Sequence, residues 1–146
     1  MSKQLQFSTS HPAPHRHEVS LFALGFGLAA APLAWAAQTI IGYALSSHAC
    51  FPGDTPRVAP LYAGAGQIAL AINLIAIMVA AVAAAAAYRS WRATRDENDG
   101  QLHRLVEIGE GRTRFLALCG VLTSLGFLVA MIFASVAILL VPLCGR

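Results

Sequence analysis

Two cysteines that follow long apolar runs are the residues best suited to covalent or metal chemistry. Cys50 comes just after the first run and Cys144 just after the third, whereas Cys119 lies near the start of the third. If Cys50 and Cys144 share the oxidising side of a membrane, the pair predicts a disulfide, and we favour this interpretation. Unrelated free thiols, or a Cu(I) site completed by His48, are the alternatives.

Three histidines near the N-terminus, His11, His15 and His17, form a second cluster with a spacing that could bind a metal weakly. Residues 1–18 are rich in Ser, His and Pro, which predicts a disordered cytoplasmic tail. Such a tail lacks the surrounding hydrogen-bond partners that fix metal-binding imidazoles. The chain also has no phosphate loop, nucleophile elbow, metalloprotease helix or carboxylate pair. We therefore assign no catalytic, cofactor-binding or metal-binding residue and expect a non-enzymatic protein without a cofactor.

Three uncharged polar side chains, Gln38, Gln67 and Asn73, fall within the apolar runs. The predicted depths of Gln38 and Gln67 differ by about one helical turn, so their two amides could bond to each other. We favour such interhelical polar contacts over contacts with a quinone, substrate or cofactor. No Asp, Glu, Lys or Arg lies at membrane depth, which argues against a proton pump, an ion-coupled transporter or a voltage sensor.

The elements that must position these residues are long uncharged segments. Of the 146 residues, 57% are apolar and 12% are charged, whereas a soluble domain has about 25% charged residues. Crossing a hydrocarbon core of about 30 Å takes roughly 20 helical residues. We predict an all-α integral membrane bundle in which residues 19–146 form three transmembrane helices, over about residues 20–47, 61–88 and 115–143.

The sequence also predicts a bend within the first span and the character of the segments that connect the spans. Pro32 predicts a kink in the first span because it removes a backbone hydrogen bond. Residues 48–60 contain three prolines and a glycine, so they cannot be helical throughout. Residues 102–108 are either a short amphipathic helix on the inner membrane surface or a solvated connector.

Lysines and arginines predict the orientation. Eight lie in the N-terminal tail and the second loop, and only Arg57 and Arg146 lie on the other side. Because positive residues stay cytoplasmic, we expect the N-terminus inside and the C-terminus outside a bacterial inner membrane. The net charge of +3 is explained by this topology, so we expect no nucleic-acid partner. The first apolar run is too long for a cleaved signal peptide, and we interpret it as a retained span.

Small residues recur at four-residue spacing, which suits close helix packing. The pairs are Gly25 and Ala29, Gly120 and Ser124, and Gly126 and Ala130, and an alanine-rich stretch covers residues 80–87. We interpret these spacings as packing within the chain rather than against a partner.

Two stretches carry a family resemblance. One runs from Trp35 through Gln38, Tyr43 and His48 to Cys50-x-Pro52, and the other runs from Arg114-Phe115 to Pro142-Leu-Cys144. They resemble small three- or four-span bacterial membrane proteins encoded beside cytochrome c oxidase and its assembly factors. The resemblance implies an accessory or assembly role near a respiratory complex, and it implies no site residues.

The sequence therefore favours a membrane protein that works by binding other integral membrane proteins, as an accessory or assembly subunit. The first alternative is a protein that handles a small molecule, a quinone or copper through Gln38, Gln67, His48 and Cys50. The second alternative is a holin-like pore former. The lack of a strongly charged C-terminal tail counts against this alternative.

Overall fold

The computed structural model is all-helical and describes residues 20–93 and 112–145. Three helices are long and apolar enough to cross a membrane, so the prediction of three long apolar helices is confirmed. They are α1, Leu21–Cys50, α2, Ala65–Ala93, and α3, Arg112–Leu140, with a short 3-10 helix at Pro52–Asp54. The predicted tail, with its histidines at 11, 15 and 17, and the predicted amphipathic helix at 102–108 lie outside the described residues.

The connection between α1 and α2 folds back on the end of α1, and this shifts the helix bounds from those predicted. The Arg57 amide donates to the Cys50 carbonyl at 2.8 Å, and the Leu61 amide donates to the Ala49 carbonyl at 2.9 Å. These bonds satisfy carbonyls that the helix end leaves without partners, so α1 continues to Cys50. Helix α2 begins only at Ala65, four residues later than predicted.

Gly53 makes the tight reversal after α1 possible. Its φ is 63° and its ψ is 43°, which is the left-handed region that residues with a Cβ rarely adopt. The turn keeps the connection short and holds residues 57–61 against the C-terminal end of α1. Within α1, Pro32 is part of one continuous helix from Leu21 to Cys50.

Helix α2 packs through a seam of small side chains. Its buried residues are spaced by three or four positions, with an average close to the 3.5-residue repeat of left-handed helix packing. They are Ala65, Ala69, Asn73, Ala76, Ala80, Ala83, Ala87 and Ser90. Large apolar side chains lie on the outside instead: Leu33, Phe133 and Leu140 are each about two-thirds exposed or more, as suits residues that face lipid.

All three helices meet at one point, Gly27 on α1, Ala87 on α2 and Gly120 on α3. A Cβ added at Gly27 would lie 3.0 Å from the Ala87 Cβ, and one at Gly120 would lie 3.2 Å from both that Cβ and the Gly27 carbonyl oxygen. One turn away, the Ser124 hydroxyl donates to the Gly27 carbonyl at 3.0 Å. Helix approach this close needs residues without side chains at the contact.

Candidate functional site

The structure brings Cys50 and Cys144 together at one end of the bundle, which we call the disulfide end. Their sulfur atoms are bonded at 2.07 Å, and their Cα atoms lie 5.4 Å apart. Both residues are buried, at 3% and 4% exposure, among Ala49, Ala65 and Leu143. The bond ties the end of α1 to the segment that follows α3.

This bond bears directly on the copper interpretation. A Cu(I) site needs thiolate or imidazole ligands. The sulfur atoms of Cys50 and Cys144 are bonded to each other, so in this state neither is a thiolate. His48 is exposed on α1. Across residues 20–93 and 112–145, no group of three metal-ligating side chains is gathered in one place.

A cleft of about 160 Å³ lies beside the disulfide. This cleft was not predicted from the sequence. Hydroxyl-bearing and aromatic side chains make up most of its wall: Tyr43, Ser46, Ser47, Cys50, Phe51 and Leu143. Four of these residues lie along the last turns of α1, at positions that share one helix face. A Ser and Tyr pattern at this spacing is the signal from which it could have been found.

Asn73 forms the polar centre of the interface between α2 and α3. It is fully buried, and its amide nitrogen donates to the Met131 carbonyl at 3.1 Å and to the Ser135 hydroxyl oxygen at 2.6 Å. The Ser135 hydroxyl in turn donates to the Met131 carbonyl at 3.1 Å. Asn73 therefore makes an interhelical polar contact, and its partner Ser135 is a residue that sequence reasoning missed.

Gln38 and Gln67 are not brought together. Gln38 lies twelve residues before the end of α1 at Cys50, and Gln67 lies two residues after the start of α2. At 1.5 Å per residue, this places the two side chains about 15 Å apart in depth. The Gln38 amide nitrogen instead lies 3.5 Å from the hydroxyl oxygen of neighbouring Thr39, so the predicted contact between the two glutamines is absent from the described residues.

Aromatic contacts join α1 to α3 near the middle of the bundle. The rings of Trp35 and Phe127 have centroids 5.4 Å apart and are tilted by 50°, a favourable geometry for a ring pair. Phe127 also packs against the buried cluster formed by Ala31, Ala80 and Met131. The deeply placed Trp35 thus contacts protein on one face, although 39% of it is exposed.

No protein-family model, curated protein or solved structure matches the chain. Its class therefore follows from its own geometry: three apolar helices in mutual contact define a multi-pass helical membrane protein.

Proposed function

We propose that the chain is a non-enzymatic accessory or assembly subunit that binds a respiratory complex in a bacterial inner membrane. The resemblance to proteins encoded beside cytochrome c oxidase supplies the respiratory partner. The multi-pass architecture supports partner binding, because the spans of such a protein can pack against those of its partners within the bilayer.

One observation carries this proposal: two buried polar side chains in the spans, Asn73 and Ser124, join the chain's own helices. Asn73 binds α3, and Ser124 binds α1 through the Gly27 carbonyl. Transport and proton transfer need polar or ionisable groups that line a path through the membrane. A bundle whose polar groups join its helices is better suited to a structural role.

The outer surface of the bundle supports partner binding in a second way. A Cβ built at Gly25 or at Gly126 meets no atom within 4 Å, although each glycine begins a small-residue pair. The prediction that all three pairs pack within the chain is therefore wrong for these two. Their faces are open in the single chain, where a neighbouring helix of a larger complex can approach closely.

Two considerations support the proposed orientation, with the disulfide end outside. Eight of the ten lysines and arginines belong to the opposite side, which the positive-inside rule makes cytoplasmic. A bond between Cys50 and Cys144 also persists best in an oxidising compartment such as a periplasm.

The proposal is tested by isolating the chain at its natural abundance. A small affinity tag, a mild detergent and mass spectrometry identify what remains bound, and we expect subunits or assembly factors of a terminal oxidase. The matched variants are Gly126→Leu and Gly25→Leu, which fill open faces without touching the bundle interior. Loss of the partner in either variant, with normal accumulation of the chain, would locate the contact.

Other outcomes of the same isolation favour the alternatives. Stoichiometric copper or quinone without a protein partner would favour small-molecule handling. Large homo-oligomers that make vesicles leaky would favour a pore former. The pore interpretation has to account for Asn73, since this side chain is fully buried between α2 and α3.

A further inference from the structure

The cleft beside the disulfide offers hydrogen-bond donors without charge. The Ser46 hydroxyl donates to the Gly42 carbonyl at 2.9 Å, so it presents only acceptor lone pairs to the cleft. Within the described part of the chain, the Tyr43 and Ser47 hydroxyls have no hydrogen-bond partner. Two free donors and no charged lining residue suit a neutral group that carries acceptor oxygens.

The size of the cleft limits what fits. A water molecule needs only about 10–15 Å³ of such volume, and a cavity of about 150 Å³ is enough for benzene. The cleft, at about 160 Å³ and open to the surface, has room for a group of about the size of one six-membered ring. Phe51 and Tyr43 are exposed residues, at 57% and 78%, and their rings provide flat apolar surfaces on which such a group can stack.

The position of the cleft indicates from where a ligand enters. It lies at the last turns of α1, where Tyr43 and Phe51 have the exposure expected of aromatic side chains at the headgroup level. A ligand that enters here has its polar group at the boundary and its apolar part among the lipid chains. The buried disulfide and Leu143 form the protein side of the cleft.

We propose that this cleft binds the uncharged, carbonyl-bearing polar group of a lipid-soluble molecule. A quinone ring and the ester region of a phospholipid both have this chemistry. The Tyr43 and Ser47 hydroxyls donate to the carbonyl oxygens, and the aromatic rings cover the remainder. The proposal concerns the chain alone, so it stands or falls separately from the identity of the protein partner.

The first test measures what copurifies with the chain in the cleft. The chain is isolated in mild detergent without reductant, and extracted quinones and phospholipids are quantified per mole of protein. We expect one quinone or one tightly retained phospholipid in the wild type and at least a five-fold loss in the double variant Ser46→Leu, Ser47→Leu. Thr39→Leu changes an exposed hydroxyl on the same helix, outside the cleft, and should retain the ligand.

The second test does not depend on a variant that fills the cleft. Phe51 is replaced by the photoreactive p-benzoylphenylalanine, and the chain is irradiated in membranes that contain quinone. A quinone adduct or a single phospholipid species, absent when the same replacement is made at lipid-facing Phe133, would support the site and identify the source. The proposal is overturned if both positions give the same mixture of bulk lipids, or if ligand content is equal in the wild type and both leucine variants.

Discussion

At the residue scale, Asn73 is a buried side chain that joins α2 to α3 by hydrogen bonds. It is fully buried at membrane depth, where an unmade hydrogen bond is costly. Its two donors reach two groups on α3, whereas its carbonyl oxygen has no partner among the described residues. The residue therefore acts as a hydrogen-bond donor. Substitutions that keep its shape but remove its donors test how much these bonds contribute to helix association.

We expect Asn73→Leu to weaken association of α2 with α3 by about 0.6–2 kcal/mol, the usual range for such bonds in membranes. Asn73→Asp should be worse, because a charge at membrane depth costs about 2.5–3.5 kcal/mol and its oxygens would face the Met131 carbonyl. Gln67→Leu, at an exposed position, is the control and should be neutral. Reversible unfolding in bicelles measures all three, and equal stability of the three variants would contradict this role.

The type of contact at this scale was predictable, but its partners were not. A helix interface offers a polar residue in an apolar span hydrogen-bond partners that lipid does not, so Asn73 could be assigned to such an interface. The pairing of Gln38 with Gln67 failed because depth was counted from the predicted helix ends. In the structure, α1 continues to Cys50 and α2 begins only at Ala65. No pattern of residue types reveals the backbone bonds from Arg57 and Leu61 that fold the connection back on the end of α1.

At the scale of elements, the bundle is held by close approach of backbones. A Cβ added at Gly120 would meet Ala87 and Gly27, whereas one added at Gly25 or Gly126 would meet no atom within 4 Å. The three glycines begin pairs with the same sequence spacing. Spacing identifies a helix face that is able to pack closely, but which face meets the neighbour depends on the rotation of each helix in the bundle. The sequence therefore predicted the kind of packing correctly. Of the three pairs it singled out, only the pair of Gly120 and Ser124 packs in this way.

We expect Gly27→Ala to destabilise the bundle by about 1–3 kcal/mol, as overpacking does in tight interiors. The added methyl group would lie 3.0–3.2 Å from the Cβ, Cα and amide nitrogen of Ala87, and a backbone cannot move aside as a flexible side chain can. Gly25→Ala, two residues earlier on the same helix, has open space and serves as the matched control. Helix propensity alone would stabilise both variants, because Ala is a better helix former than Gly. A Gly27→Ala variant that is as stable as Gly25→Ala would therefore argue against tight packing at Gly27.

The disulfide can be tested by counting thiols. The chain has three cysteines, and with Cys50 bonded to Cys144 only Cys119 is free in the described residues. Denatured protein prepared without reductant should therefore react with one maleimide per chain, and with three after reduction. Because the two bonded residues are buried, the folded protein should also resist mild reductants. Three reactive thiols before reduction would rule out the bond.

At the scale of the whole molecule, the charge distribution defines two different ends. The end opposite the disulfide carries Arg89, Arg92 and Arg114 around the ends of α2 and α3, and the disulfide end carries Arg57. The three spans follow from the uncharged runs between these residues, and that part of the fold was readable from sequence. Which side chains of each helix face the neighbouring helices could be determined only from the structure.

Reporter fusions test the orientation. A reporter that is active only in the cytoplasm should be silent when fused after Arg146 and active when fused at the N-terminus, because most positive charges lie on the N-terminal side. Inserting the same reporter between residues 94 and 111 should also give activity. Activity after Arg146 would reverse the assignment and place the cysteine pair in a reducing compartment, where a disulfide rarely persists.

The measurement that tests the proposed role most directly is the amount of assembled terminal oxidase in cells that lack the chain. Membranes from a deletion strain are solubilised in mild detergent, separated on a native gel and stained for haem, with the wild-type gene restored as the control. We expect a clear fall in assembled oxidase, or a smaller complex, that restoration of the gene reverses. An oxidase of unchanged amount, size and activity in the deletion strain would contradict the proposed role.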